Sequence, residues 1–169
     1  MIKQVFLIRH ATASYAHSLQ NDYERTLHER GKREVAMMGE RLKYFGIHPD
    51  IIIASAATRT QQTAEGLAQT LHVDIHLIRL EPTLYHSSTE RLLQEVQLIP
   101  NNITTAFLIA HNPGITEFVN SLTPIFKIED MPTCGIVGVR FDAQDWLEFE
   151  QEEKELFLFE YPSKLYGRT

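Results

Sequence analysis

Val5 to Ile8 is an uninterrupted apolar run that stops abruptly at Arg9 and His10. This is the pattern of a strand covered on both faces, with polar residues at its carboxyl end. Residues 11 to 26 follow neither a helical nor a strand period and read as loop. Val35, Met38, Leu42 and Phe45 then recur at helical spacing until Gly46 and Pro49 end the element. Ile51 to Ala54 is a second short buried-strand run, followed by a turn over Ser55 to Thr58 and a helix marked by Ala64, Leu67, Ala68 and Leu71.

A weaker strand is predicted at Ile75 to Ile78, a helix at Leu92 to Ile99 closed by Pro100, and a third strong buried strand at Ala106 to Ala110. That strand ends at His111, Asn112, Pro113 and Gly114, and Ile115 to Leu122 has helical spacing again. Beyond it, Gly135 to Phe141, Trp146 to Glu150 and Leu156 to Phe159 are apolar or alternating at strand length and predict a terminal hairpin. Strands alternating with helices predict a single-domain three-layer α/β/α sandwich over residues 1–169, its central sheet mostly parallel with an antiparallel edge. There is no internal repeat and no linker.

At 169 residues the chain is long enough to bury about 70% of its unfolded surface in one core. Sixteen Lys and Arg against twenty-two Asp and Glu give a net charge of −6, which disfavours nucleic acid and anionic membrane as partners. The excess is local: between Asp145 and Glu155 stand six acids and one base, either a partner-docking surface or a solvated face. The single cysteine, Cys134, cannot form an intrachain disulfide and reads as a small core residue. The first apolar run is too short for a signal-peptide core or a membrane span, so a cytoplasmic protein is expected.

Ligands of open α/β sheets sit outside the carboxyl ends of the strands. The predicted elements bring Arg9, His10, Arg59 and His111 to that edge. Two guanidiniums gathered where little acid is near repel each other unless an anion lies between them, and phosphate matches their forks. Arg59, at a helix start, adds backbone donors and the positive end of the helix dipole. The eight histidines offer only one i, i+4 pair, His72 and His76, across a helix-to-strand boundary. With no HExxH motif and no paired cysteines, no metal site is expected.

Leu7-Ile8-Arg9-His10-Ala11 resembles the Arg-His-Gly opening of the histidine phosphatase superfamily, which includes the cofactor-dependent phosphoglycerate mutases. Ser55-Ala56-Ala57-Thr58-Arg59-Thr60-Gln61-Gln62-Thr63-Ala64-Glu65 is similar to its second block, and Ile109-Ala110-His111-Asn112-Pro113-Gly114 to its second-histidine block. Met131-Pro132-Thr133-Cys134-Gly135 followed by Trp146 resembles the ending of compact SixA-type phosphohistidine phosphatases. The resemblance implies a phosphoglycerate mutase-like fold and His10 as a nucleophile that becomes transiently phosphorylated. Arg9, Arg59 and a protonated His111 would hold the phosphoryl group, Asn112 would assist in binding, and no cofactor or metal would be needed.

The implied substrate is phosphohistidine on a protein partner. Only Glu81 to Ser88 separates the 75–78 strand from the next helix, leaving no large lid to enclose a small substrate. A small-molecule phosphomonoesterase and a non-catalytic phosphate-binding module are the alternatives. Glu81 is the candidate general acid for an ester leaving group, or else a solvated loop acid. Ser14, Tyr15 and His17 lie in the loop after the nucleophile and are further candidates for substrate contact. Two positions depart from the family pattern. Ala11 replaces the usual Gly, with strain expected only if φ is positive, and Ala56 replaces a Pro.

Overall fold

The computed structural model describes residues 1–15, 19 and 21–166; His17 lies outside them. Strand β1 (Ile2–Arg9) leads through the post-strand loop to helix α1 (Glu29–Tyr44), and β2 (Ile51–Ser55) to α2 (Thr58–Leu71). Next come β3 (Ile78–Glu81), α3 (Thr89–Gln97), β4 (Thr105–Ala110), α4 (Gly114–Ser121), β5 (Ile136–Asp142), β6 (Glu155–Glu160) and a last turn of helix, α5 (Pro162–Tyr166). The strands form one six-stranded sheet in the order β3-β2-β4-β1-β5-β6. β3, β2, β4 and β1 are mutually parallel, whereas β5 runs antiparallel to both β1 and β6.

The apolar runs are continuous because both faces of the sheet are covered. Val5 and Leu7 of β1 join Leu108 of β4 and the inner faces of α3 and α4 in one core layer. Phe6 and Ile8 join Phe107, Ile109 and the inner faces of α1 and α2 in the other. The expected three-layer sandwich with a mostly parallel sheet is therefore present. Among the described residues no helix is long and apolar enough to cross a membrane.

Two predicted strands fold differently. Ile75 to Leu77 forms a 3₁₀ turn, and the strand begins only at Ile78. The Asp74 carboxylate accepts from the His76 backbone N–H at 2.9 Å, and this local bond wins over an apolar run that remains largely exposed at Ile75. Trp146 to Glu150 is likewise a 3₁₀ helix, opened by a capping box between Asp145 and Glu148. Side chains three apart eclipse in such a helix, so Trp146 and Phe149 both point into the core. The Trp146 indole N–H donates to the Ile103 carbonyl at 2.9 Å.

The start of α1 presses on the loop after β1. The Thr12 carbonyl accepts from the His28 N–H at 2.9 Å, and a Cβ placed on Gly31 would lie 2.1 Å from that same oxygen. Only glycine permits this approach, which seats the segment following His10. Gly31→Ala is expected to cost roughly 1–3 kcal/mol in chemical denaturation, the range for forced overpacking. An unchanged denaturation midpoint would show that the contact is slack.

Candidate active site

Strands β1, β4 and β2 are adjacent and parallel, with Arg9 level with Ala110 and Ile109 level with Ala54. Their carboxyl ends therefore release His10, His111 and Ser55 at one edge, and α2 begins there with Arg59 in its first turn. Of the four residues expected together, His10, Arg59 and His111 are in mutual contact, and Arg9 lies near enough to act on the His10 charge. The rings of His10 and His111 lie 5.3 Å apart, and Arg59 lies against both. Its Nε donates to His10 Nε2 at 3.4 Å, and its Nη2 lies 3.4 Å from His111 Nδ1.

The local contacts fix the tautomers. His10 Nδ1 lies 2.8 Å from the Ala11 carbonyl, which only accepts, so the ring proton resides on Nδ1 and Nε2 carries the lone pair. His111 faces the Arg59 donor with Nδ1, so its proton resides on Nε2, 2.8 Å from Ser55 Oγ. Burial, with Arg59 and Arg9 nearby, pushes the His10 pKa down to about 4. Burial, the His10 ring and Arg59 push His111 down to about 3. The surrounding positive charge and the loss of water both oppose a cation on the His111 ring.

Arg9 donates from Nη1 to the Met131 carbonyl at 2.8 Å, while its buried Nε has no partner among the described residues. Burial lowers its pKa, offset by Asp130 and Glu34. The segment that grips Arg9 is itself tied down by Asn112, whose amide donates to Asp130 Oδ1 at 2.7 Å and to the Met131 carbonyl at 3.1 Å. Asn112 Oδ1 accepts from the Thr116 hydroxyl at 2.7 Å. Its side chain is therefore committed to the scaffold rather than presented to an anion.

Ala11 does not adopt a positive φ and is fully buried, its N–H donating to Thr63 Oγ1 at 3.1 Å. The alanine is accommodated without backbone strain. Cys134 is buried in the core as expected, and its N–H holds the His10 carbonyl at 3.1 Å. Burial pushes its thiol pKa up. Glu81 stands on the edge strand, with its carboxylate on the Thr83 hydroxyl at 3.1 Å. None of its hydrogen bonds or ion pairs reaches the histidines or arginines.

Asp130 lies 3.9 Å from Arg9, and the acid that reaches Arg59 is Asp22, in the 3₁₀ turn Asp22–Glu24 of the loop after β1. Arg59 Nη1 donates to its carbonyl at 2.7 Å and Nη2 to its carboxylate at 3.0 Å. Tyr85 donates its hydroxyl to the same carboxylate at 2.5 Å, and Arg25 Nη1 does so at 2.8 Å. The Tyr85 hydroxyl, with Arg25 and Arg59, holds the Asp22 carboxyl far below the usual carboxylate range. The expectation of little nearby acid was therefore wrong. The available signal was a carboxylate in an aperiodic loop leaving the strand end that carries His10, since such a loop must fold back across that end. Glu34, buried on α1, accepts from the Thr12 N–H at 2.8 Å and the Thr133 hydroxyl at 3.0 Å, joining the two segments that flank Arg9 and His10.

Among the described residues no three His, Cys, Asp or Glu side chains are grouped to hold a metal ion. The arrangement is chemically an anion site with an imidazole lone pair beside it.

Comparison with known proteins gives the fold and the family. An uncharacterized protein of Mycobacterium leprae is 27% identical over 167 residues, covering 92% of this chain and 99% of its own. The solved structure of the protein histidine phosphatase SixA complexed with tungstate matches with a TM-score of 0.81 at 22% identity, over 96% of this chain and 99% of that one. The mycobacterial glucosyl-3-phosphoglycerate phosphatase matches at 0.65 and 15% identity, over 92% of this chain and 97% of that one. The model of the histidine phosphatase superfamily (branch 1) matches residues 5–104, which carry Arg9, His10 and Arg59. That match spans more than half of the chain, and the chain belongs to branch 1 of the histidine phosphatase superfamily.

Proposed function

We propose that the protein is a metal-independent phosphatase that forms a phosphohistidine intermediate at His10 and acts on phosphohistidine carried by a protein partner. The observation that carries this reading is the state of His10. Its Nδ1 is pinned by the Ala11 carbonyl, which leaves the Nε2 lone pair facing Arg59 at 3.4 Å. An imidazole kept neutral well below pH 7 is a competent nucleophile, and attack divides one difficult displacement into two easier ones.

Arg9, whose side chain stays partly exposed, and Arg59 offer their guanidiniums to the phosphoryl oxygens. A phosphoryl dianion arriving beside His111 favours the charged imidazolium, so that ring takes up its proton with the substrate and adds a third donor. Asn112 acts through the 130–131 segment as a positioning residue for Arg9.

Two observations support a protein-borne substrate. The connection from β3 to α3 is only residues 82–88, which leaves little chain there to enclose a small substrate. The structure of SixA, named as a protein histidine phosphatase and holding tungstate, is also a nearer match in shape than the sugar-phosphate phosphatase. Tungstate is an oxyanion with the tetrahedral form of phosphate. The small-molecule reading predicts instead a preference for sugar or aryl phosphates.

His10→Ala is expected to abolish phosphate release while leaving the circular dichroism spectrum unchanged. Arg59→Ala should lower kcat/KM by about 10²–10³-fold, the range for loss of one transition-state donor. A loss under tenfold would contradict its role. Phosphohistidine protein should be turned over faster than an aryl phosphate under identical conditions, and the reverse order would assign the small-molecule reading. In an NMR titration of the unliganded protein, the His10 and His111 rings should stay neutral at pH 5.5 and take up protons near 4 and 3. Midpoints near 6.5 would contradict the electrostatic account. Because the unfolded rings protonate near 6.5, this pair also makes stability fall as pH drops from about 6.5 to about 3.

A further inference from the structure

A carboxylate inside a phosphate site calls for an explanation, because it repels the dianion the site is built to hold. Asp22 Oδ2 receives Arg59 at 3.0 Å and the Tyr85 hydroxyl at 2.5 Å, with His86 Nε2 at 3.4 Å. Oδ1 receives Arg25 at 2.8 Å. The side chain is nonetheless 41% exposed, so a substrate can reach it. With so many donors it stays ionised and cannot protonate a leaving group. An ester gains nothing from it, since the departing alkoxide would need a proton and would meet a fixed negative charge. Glu81, the other candidate acid, turns away to Thr83.

One phosphorylated leaving group profits from such a neighbour: an imidazole that carries the phosphoryl group on one nitrogen and a proton on the other. It is cationic at the ring and presents an N–H donor. A wall of rings stands beside the carboxylate to receive a flat group. Tyr85 packs at 4.1 Å from His86 and 5.4 Å from His111, and Tyr23 at 4.9 Å from Tyr85.

We infer that Asp22 is the specificity-determining residue of this site, accepting a hydrogen bond from the protonated ring nitrogen of an N-phosphorylated imidazole seated against Tyr85 and His86. The inference rests on the reading of His10 as nucleophile. The His10 Nε2 lone pair forms the new N–P bond as the substrate P–N bond breaks. The bonding pair returns to the substrate nitrogen, the proton on the other nitrogen stays in place, and the ring departs as neutral imidazole on Asp22. Water then cleaves the His10–P bond, giving dihydrogen phosphate and neutral His10.

The test compares kcat/KM for phosphoimidazole and p-nitrophenyl phosphate in the wild type and in Asp22→Asn. Because Asp22 also touches Arg59, both values are expected to fall, but phosphoimidazole by at least tenfold more. An equal fall, or a larger one for the aryl ester, would make Asp22 a mere support for Arg59 and overturn the inference. A second measurement needs only the wild type. The 3-methyl derivative of phosphoimidazole lacks the ring N–H, and its enzymatic acceleration over the uncatalysed rate should be at least tenfold smaller; equal acceleration overturns the inference. The parent reading fails separately, if the wild type hydrolyses neither compound or His10→Ala remains active.

Discussion

The Arg59 guanidinium is the contact on which the candidate site depends. It touches both histidine rings and the carbonyl and carboxylate of Asp22, so its donors set the positions of groups from three separate segments. A single flexible cation would not hold such an array, but Arg59 is planar and almost wholly buried. Its presence also sets the charge state of its neighbours. Two imidazoles beside a permanent cation, cut off from water, remain neutral, and neutrality is what a nitrogen nucleophile requires. On the proposed mechanism, the positive field that would bind an anion and the lone pair that would attack it thus have one source.

The surrounding structure keeps this arrangement in register. Glu34 bonds to Thr12 and Thr133, which belong to the segments on either side of the Arg9–His10 pair. Asn112 bonds to Asp130 and Met131, and Met131 in turn receives Arg9. Gly31 and Gly114 each permit a backbone approach that a methyl group would block, at the Thr12 and Ser87 carbonyls. These contacts link α1, α4 and the loop before β5 into one collar, so the strand ends are held by side chains that need never touch a substrate. Rigidity at that level is what preorganised donors require.

The strands that carry the site were legible because burial on both faces demands long apolar runs, and each run ended at the residue that mattered: Arg9, Ala54 before Ser55, and Ala110 before His111. The helix that presents Arg59 was legible for the same reason. Elements decided by local hydrogen bonds were not. Asp74 turned an apolar segment into a 3₁₀ turn, and the Asp145–Glu148 box turned Trp146 to Glu150 into another. Asp22 and Tyr85 escaped because they lie in aperiodic loops, where position comes from tertiary contacts and no periodicity reports it. Asn112 was read as a ligand from its place beside His111, but its amide faces back into the protein.

The central claim is that the phosphoryl group passes through the His10 ring. Rapid quenching of the protein with a radiolabelled phosphohistidine substrate tests it most directly. The account predicts an acid-labile, base-stable label on the chain, confined to the peptide containing His10, that appears and decays at rates consistent with turnover. Full turnover with no label on the chain, or a label on any other residue, would contradict it.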